Sequence, residues 1–549
     1  MRKNIFQLCA QLATIGTVIP VFGLLLLLTT FVILAPEARA QTPPPPSMLV
    51  TNLRVRTAVS GLVTPISMAF LDDNDFFVLE KNTGQVKRVV NGAVQSTVLD
   101  LAVNNASERG LLGIALHPNF PSNPGVYLYW TCQAPAPPPE TRFFPTQETC
   151  PDTPATGADT NVTLAVPLRG NRVDRFIWNG TSLVFDHNLI KLRSFQNDGA
   201  PDPPDQGDAA QNPAGNHNGG VIRFGPDGKL YIIIGDNGRR GQMQNLPSGP
   251  TLTGLGPTVP DDQFGGPAPD NAHFTGVIIR LNDDGTAALD NPFFEVGGKM
   301  GGEVGANIQK IYAYGIRNSF GMAFDPESGN LWDQENCDDA FDELNLVLPG
   351  SNSGWIQFMG PAERIAQFKE IETRPPPFFG LQQLRWAPTR LADSASEAFQ
   401  RLFELPDSNY SDPEFSWKFA VAPGGIGFMN GRGIGPQYEG DLFVGAARPT
   451  LEGGYLFHFN LTGNRRKIGV DDPRLEDRVA DNLAKFDITE SEEFLIGRNF
   501  GVGTDIQTGP NGNLYVVSLS NGAVYEVYSR KGTFATKSSQ KLPTGSLKR

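Results

Sequence analysis

The chain of 549 residues carries 45 Lys and Arg against 58 Asp and Glu, a net charge of −13, so it lacks the basic excess that nucleic acids select. Its 60 Gly and 45 Pro follow no strict period, which excludes collagen and favours a turn-rich β protein. With 40% hydrophobic and 19% charged residues, wholesale disorder is excluded and a sizeable core can form.

Residues 1–40 read as an export segment: Arg2 and Lys3, an uncharged apolar run from Leu12 to Pro36, and the small-residue site Ala38-Arg39-Ala40. Cleavage after Ala40 and retention as a membrane anchor are both open, because the run is long enough to span a bilayer. Either outcome places the folded part in the periplasm or outside the cell. Residues 41–50 begin with a Pro-rich, extended spacer. Of the four cysteines, Cys9 lies in the leader, and Cys132 and Cys150 bracket a Pro-rich excursion. An oxidising compartment favours a disulfide between that pair and leaves Cys337 as a buried, inert thiol.

From residue 51 to about 530 the pattern is short apolar alternation broken by Gly, Asn, Asp and Pro. A strand-turn-strand unit recurs at residues 66–79, 221–234, 320–332 and 506–517, with a weaker copy at 426–444. Such repetition predicts an all-β, six-bladed β-propeller with long loop insertions, at roughly 45 residues per blade. The insertions fall at 131–159, 197–215, 238–271 and 360–411, the last containing the one expected helix, near 394–403. Residues 531–549, with five Lys or Arg and no acid, read as a basic, disordered tail.

Among the five histidines, His117 sits inside an apolar run, and His187, His273 and His458 have no partners at metal-ligand spacing. His217, in Gly215-Asn-His-Asn-Gly-Gly220, differs: small neighbours before a strand leave room for a ligand near the backbone. Arg317 and Asn318 precede another strand, where an arginine fork could bind a carboxylate or simply lie at the surface. The segment from Glu335 to Asn345 crowds five acids into one loop, which suits either Ca²⁺ or a solvated acidic turn.

Taken in order, Glu108-Arg-Gly-Leu-Leu-Gly, His217-Asn-Gly-Gly, Phe224-Gly-Pro-Asp-Gly with Gly235-Asp236, Gly315-Ile-Arg-Asn, Asp342-Glu-Leu-Asn, Asn352-Ser-Gly-Trp355 and Gly509-Pro-Asn-Gly-Asn-Leu-Tyr resemble the glucose/sorbosone dehydrogenase family of soluble quinoprotein sugar dehydrogenases. The resemblance spans roughly residues 50–528. It implies a six-bladed propeller holding pyrroloquinoline quinone (PQQ) and Ca²⁺ that oxidises aldoses, or related polyols, to lactones, with an unidentified electron acceptor and a homodimer by family analogy. It assigns His217 as the base, Asp236 as its orienting partner and Arg317 as the group stabilising charge on the quinone. Asn318 would touch the cofactor, the carbonyls of Asn336 and Cys337 would approach its Ca²⁺, and Asp342 would belong to a nearby or second Ca²⁺ site.

Four departures stand out. Glu108 replaces a family Gln and adds charge beside an anionic cofactor unless it pairs, with Arg109 the nearest partner. Asn216 replaces an acid before the histidine. Val502 and Thr504 stand where two arginines clamp the cofactor, leaving Arg498 as the nearest substitute, and Arg448 stands for a lysine. These losses keep two other readings open: a non-catalytic carbohydrate- or protein-binding propeller, and a Ca²⁺-dependent lactonase-like hydrolase.

Overall fold

The computed structural model describes residues 44–134, 149–157, 166–195, 215–238, 274–373, 391–402, 404–448 and 453–530. The export segment, the basic tail, most of the 238–271 insertion and residues 374–390 of the 360–411 insertion lie outside the described residues.

The described strands form seven sheets: six of four to six strands and one two-stranded ribbon. In chain order the six larger sheets begin with the inner strands Pro65–Asp72, Leu111–Leu116, Ile222–Phe224, Gly321–Phe324, Pro423–Phe428 and Gly503–Thr508. We refer to them as the first to sixth sheets. Each inner strand touches the next, and the last touches the first, so the sheets close a ring around an axial channel. This is an all-β propeller with few helices.

Each sheet is stacked between two others, so strands are covered on both faces and read as unbroken apolar runs rather than alternating ones. Leu230–Ile234 and Leu442–Ala446 are buried at every position. Trp130, Trp332 and Trp417 fill the space between sheets, each at most 1% exposed. The hairpins follow from turn chemistry: in Gly225-Pro-Asp-Gly228 the Gly228 N–H donates to the Gly225 carbonyl at 2.9 Å, and Gly228 takes φ +73°, a region that favours glycine. The copy at 509–512 repeats the bond at 2.8 Å with Gly512 at φ +77°.

The ring is fastened by strands from opposite ends of the folded region. The outer strand of the sixth sheet, Leu53–Ser60, pairs antiparallel with Ala523–Ser529, from Leu53 opposite Ser529 to Ser60 opposite Ala523. Ser47–Met48, assigned from sequence to the spacer, instead pair with Gly497 and Arg498 at the edge of the fifth sheet, where they satisfy edge backbone groups.

The helix at Ala395–Arg401 forms where expected, capped by the Ser394 hydroxyl, which accepts from the Glu397 N–H. Three other α-helices among the described residues were not anticipated. Phe294–Met300 and Gly302–Ile308 contain glycines that sequence propensity disfavours. Packing overrides that penalty: a Cβ on Gly297 would meet the Gly305 carbonyl at 2.4 Å, so the two helices touch through bare backbone. Ile365–Glu372 buries Ile365, Phe368 and Ile371 at helical spacing within what read as a loop.

Candidate active site

Strand polarity gathers the candidate residues at one mouth of the ring. Glu108, His217 and Arg317 precede inner strands, while Asp236, Asn336 and Arg448 follow second strands. The opposite mouth opens into a cavity of about 1120 Å³ lined by Phe70, Leu116, Arg223, Phe224, Glu327 and Gln507. None of the predicted site residues reaches it. Between the two mouths, Arg223 Nη2 of the third sheet bonds Asp505 Oδ1 of the sixth at 2.7 Å, and Ser67, the Met68 N–H and Gln507 donate to the other oxygen. The bar obstructs the channel, so size alone does not mark the chemical site.

His217, 5% exposed, has φ +52°, and its Nδ1 lies 2.6 Å from Asp236 Oδ1. Asp236 Oδ1 also accepts the Gly238 N–H at 2.7 Å, and Oδ2 accepts the Trp355 indole N–H at 2.9 Å. These bonds fix the carboxylate's orientation and hence the imidazole tautomer with hydrogen on Nδ1. Nε2 is left as the ring's acceptor. Gly235 lets the segments converge, since a Cβ there would lie 2.5 Å from the Arg317 carbonyl and 2.7 Å from that of His217.

Glu108 does not bond Arg109. Its carboxylate accepts the His217 backbone N–H, while Arg109 donates to Asn104 Oδ1 at 3.3 Å and to the Gly215 carbonyl. A guanidinium must satisfy fixed, planar donors, and the Gly215 carbonyl meets one of them. Burial lowers Arg109 to about 10 even with Glu108 nearby.

Arg317 is held from several sides. Its backbone N–H donates to Glu335 Oε2 at 2.8 Å, its guanidinium donates to the Asn336 carbonyl and Asp338, and it stacks 5.3 Å from the Trp355 ring centre. Burial alone would lower its pKa, but Asp338 and neighbouring acids outweigh it and raise it above the usual value.

The acids of this loop are mostly spent on bonds to other parts of the protein. Asp342, assigned to a Ca²⁺ site, gives Oδ1 to the Cys337 N–H at 2.9 Å and Oδ2 to the N–H groups of Val421 and Ala422 at 2.7 and 2.8 Å. It staples two loops together. The Asn336 carbonyl, assigned toward Ca²⁺, accepts from Arg317. Cys337 is a buried free thiol near Glu372, and burial pushes its pKa up. Among the described residues no group of three His, Cys, Asp or Glu is arranged to hold a metal. A fit to Ca²⁺ is therefore limited to loop carbonyls, a ligand type that ion accepts.

A polar organic ligand fits better. Asn318 Oδ1, both side-chain polar atoms of Asn237 and Arg109 Nη2 are buried without partners among the described residues, and all belong to segments converging on His217 and Arg317. Such orphans are rare in folded proteins and mark groups awaiting a ligand or water. Arg448 stacks 5.0 Å over the Tyr455 ring, and Arg498 lies opposite Tyr455 across the strand pair. Arg498 is exposed and Arg448 half-buried. Val502 and Thr504, the non-basic positions, bond within the sixth sheet, to Ser520 and the Val517 carbonyl.

Cys132 and Cys150 form a disulfide at this same mouth, after the second strand of the second sheet. Trp355 closes the motif Asn352-Ser-Gly-Trp355 and its role was not foreseen; its position after that turn is the signal the sequence offers. The bonding of Glu335 to Arg317 left none.

A closed ring of sheets bearing a buried, hydrogen-bonded His–Asp pair at one mouth defines a propeller with a candidate site there. The family model described as Glucose / Sorbosone dehydrogenase matches residues 62–144 and 207–375. The chain is 28% identical over 322 residues to quinoprotein glucose dehydrogenase B of Acinetobacter calcoaceticus, covering 56% of this chain and 53% of that one. It is 27% identical over 323 residues to aldose sugar dehydrogenase YliI of Escherichia coli, covering 58% and 61%. The chain thus spans between half and two-thirds of the length of these curated relatives. A solved structure from Thermus thermophilus, described as a putative oxidoreductase (glucose dehydrogenase), aligns over 86% of this chain and 99% of that one, at 25% identity and TM-score 0.50.

Proposed function

We propose that the protein is a PQQ-dependent dehydrogenase that oxidises aldoses or related polyols to lactones, acting outside the cytoplasm. The observation that carries this reading is the His217–Asp236–Trp355 chain, which leaves His217 Nε2 as an acceptor beside unpartnered polar groups. We read the six larger sheets as six blades. Likeness to the two sugar dehydrogenases supports the substrate class, and the disulfide supports an oxidising compartment.

When bound, PQQ would supply the two-electron oxidant. His217 Nε2 removes the proton of the anomeric hydroxyl, the step for which a neutral imidazole suits near-neutral pH. Asp236 holds the Nδ1–H and offsets the positive charge that the ring acquires. Trp355 keeps that carboxylate in line, and Arg317, locked by the acidic loop, presents a fixed positive charge at the same mouth. Asn237, Asn318 and Arg109 would hold the cofactor's polar edge, and Arg448 and Arg498 its carboxylates. Ca²⁺ would be taken by the carbonyls of Asn336 and Cys337.

The test is titration of the metal-stripped protein with PQQ, with and without Ca²⁺, followed by an aldose and a dye acceptor. Saturable PQQ binding and sugar-dependent dye reduction, abolished in His217→Ala, are expected. One specific observation favours a second reading, a binding propeller without redox chemistry: Val502 and Thr504 supply no charge to an anionic cofactor. Failure of micromolar PQQ to bind would select it.

A further inference from the structure

Glu108 and Arg109 are adjacent residues leading into the inner strand Leu111–Leu116 of the second sheet, and both reach across to the turn that carries His217 in the third. The Glu108 carboxylate accepts the His217 backbone N–H, and the Arg109 guanidinium donates to the Gly215 carbonyl two residues earlier. One acceptor and one donor thus grip the backbone of a single tripeptide. Gly215 is what admits Arg109, since a Cβ there would fall 2.2 Å from Arg109 Nη1. The two side chains carry opposite charges, so the clamp adds no net charge beside His217. Among the described residues, the bond to the His217 N–H is the one hydrogen bond that the Glu108 carboxylate makes.

His217 needs such a hold. At φ +52° it takes a left-handed conformation that is costly for a residue with a Cβ and persists only where the surroundings over-determine it. Gly219 and Gly220 follow at φ +58° and +105°, and glycines by themselves leave a segment free to take other shapes. A rotation of this backbone would swing the imidazole off Asp236, whose carboxylate is itself fixed by Gly238 and Trp355. The loop that delivers Glu108 is anchored in its turn. The Asn104 N–H donates to the Thr131 carbonyl at 3.0 Å, and Asn104 Oδ1 accepts the Ala106 N–H at 3.1 Å and Arg109 Nε at 3.3 Å. From the first sheet, Lys81 Nζ donates to the carbonyls of Ser107 at 3.0 Å and Asn105 at 3.4 Å.

We propose that Glu108 is a positioning residue, acting through the His217 backbone to keep the imidazole Nδ1 on Asp236 and Nε2 available as the acceptor. Its catalytic consequence rests on the reading of His217 as the base of the proposed oxidation. Glu108→Ala should then lower kcat by about ten- to a hundredfold, the scale of loss from a misplaced catalytic group, with KM for the sugar changed by less than about threefold. Glu108→Gln, whose amide oxygen can accept the same N–H, should recover most of that loss.

Nuclear magnetic resonance of the full chain labelled with ¹⁵N-histidine gives a second readout that needs neither cofactor nor sugar. The chain has five histidines, and the signals lost in His217→Ala identify the one of interest. Its ring should show one protonated and one unprotonated nitrogen in the unaltered protein and in Glu108→Gln, and averaged nitrogens in Glu108→Ala, where the tautomer is released. A ring still fixed in Glu108→Ala, a raised KM at unchanged kcat, which would mark a substrate contact instead, or a Gln variant as impaired as the Ala variant would each overturn the assignment. If the unaltered protein reduces no dye with any aldose, the dehydrogenase reading fails, and the ring spectra still decide the clamp.

Discussion

The third and fourth sheets meet the ring's mouth quite differently from the fifth and sixth. On the first side, His217, Asp236, Arg317 and Trp355 are each at most 5% exposed and bonded to one another or to the acidic loop. On the other, Arg448 and Arg498 rest beside one tyrosine without a carboxylate partner among the described residues, and Val502 and Thr504 bring no charge. Groups that move protons must be held to within fractions of an ångström, and rigid strands bonded on several sides provide that. Groups that recognise a ligand by charge tolerate looser placement, because Coulomb attraction falls off gently with distance.

Removing the proposed base tests that contrast most severely. His217→Ala should lower kcat by about 10³-fold, within the range for general-base catalysis, with PQQ affinity changed far less. Steady-state kinetics alongside a PQQ titration separates the two. Asp236→Asn should lower kcat by about 10²-fold by releasing the tautomer. An equal loss from Arg448→Ala would erase the distinction between the sides.

Changes on the sparse side should act on affinity. Arg448→Ala and Arg498→Ala should each weaken PQQ binding by about tenfold, one charged hydrogen bond apiece, with kcat at saturating PQQ preserved. Val502→Arg should tighten it. Trp355→Phe keeps the ring but loses the N–H to Asp236, and should reduce kcat by only several-fold, with near-normal Tm.

The smallest effect is on stability against pH. Burial raises Glu335 to about 7 and Glu372 to about 8. Raised carboxyl pKa values mean that the folded state holds these protons more tightly, so this stabilising share is complete below the ordinary carboxyl range of about 4.5 and is lost as pH climbs through 7 and 8. Tm should therefore fall by a few degrees between pH 5 and pH 9. Glu372→Gln retains an acceptor for the Asp339 and Ala340 N–H groups and should flatten the upper part of that decline. An unchanged slope would show that these carboxyls are not what titrates.

The legible parts of the sequence were those encoded locally. Gly-Pro-Asp-Gly turns announce hairpins because the φ > 0 requirement is written in four residues. Cys132 and Cys150 were found because they bracket one loop, and His217 because glycines crowd around it. What stayed hidden depends on partners distant in sequence. Five acids between Glu335 and Asn345, read with the family resemblance, suggested a cation for Asp342, whereas the N–H groups it serves belong to Val421 and Ala422, about eighty positions later. Glu108 stood next to Arg109 and bonded His217, 109 positions away. The paired helices at 294–308 were hidden because Gly297 and Gly305 lower helix propensity for the very contact that stabilises them.

The seam between Leu53–Ser60 and Ala523–Ser529 also bears on how the protein is made. The first of these strands leaves the ribosome some 460 residues before its partner, so its edge stays unpaired through nearly the whole of synthesis. Pairing of such range is slow and exposes a strand to other chains in the interval. Arg54 and Arg56 stand on that strand, both exposed even when it is paired, and their like charges would repel a second copy of the same nascent edge. The ring's last closure is thus also its safeguard against joining its neighbour.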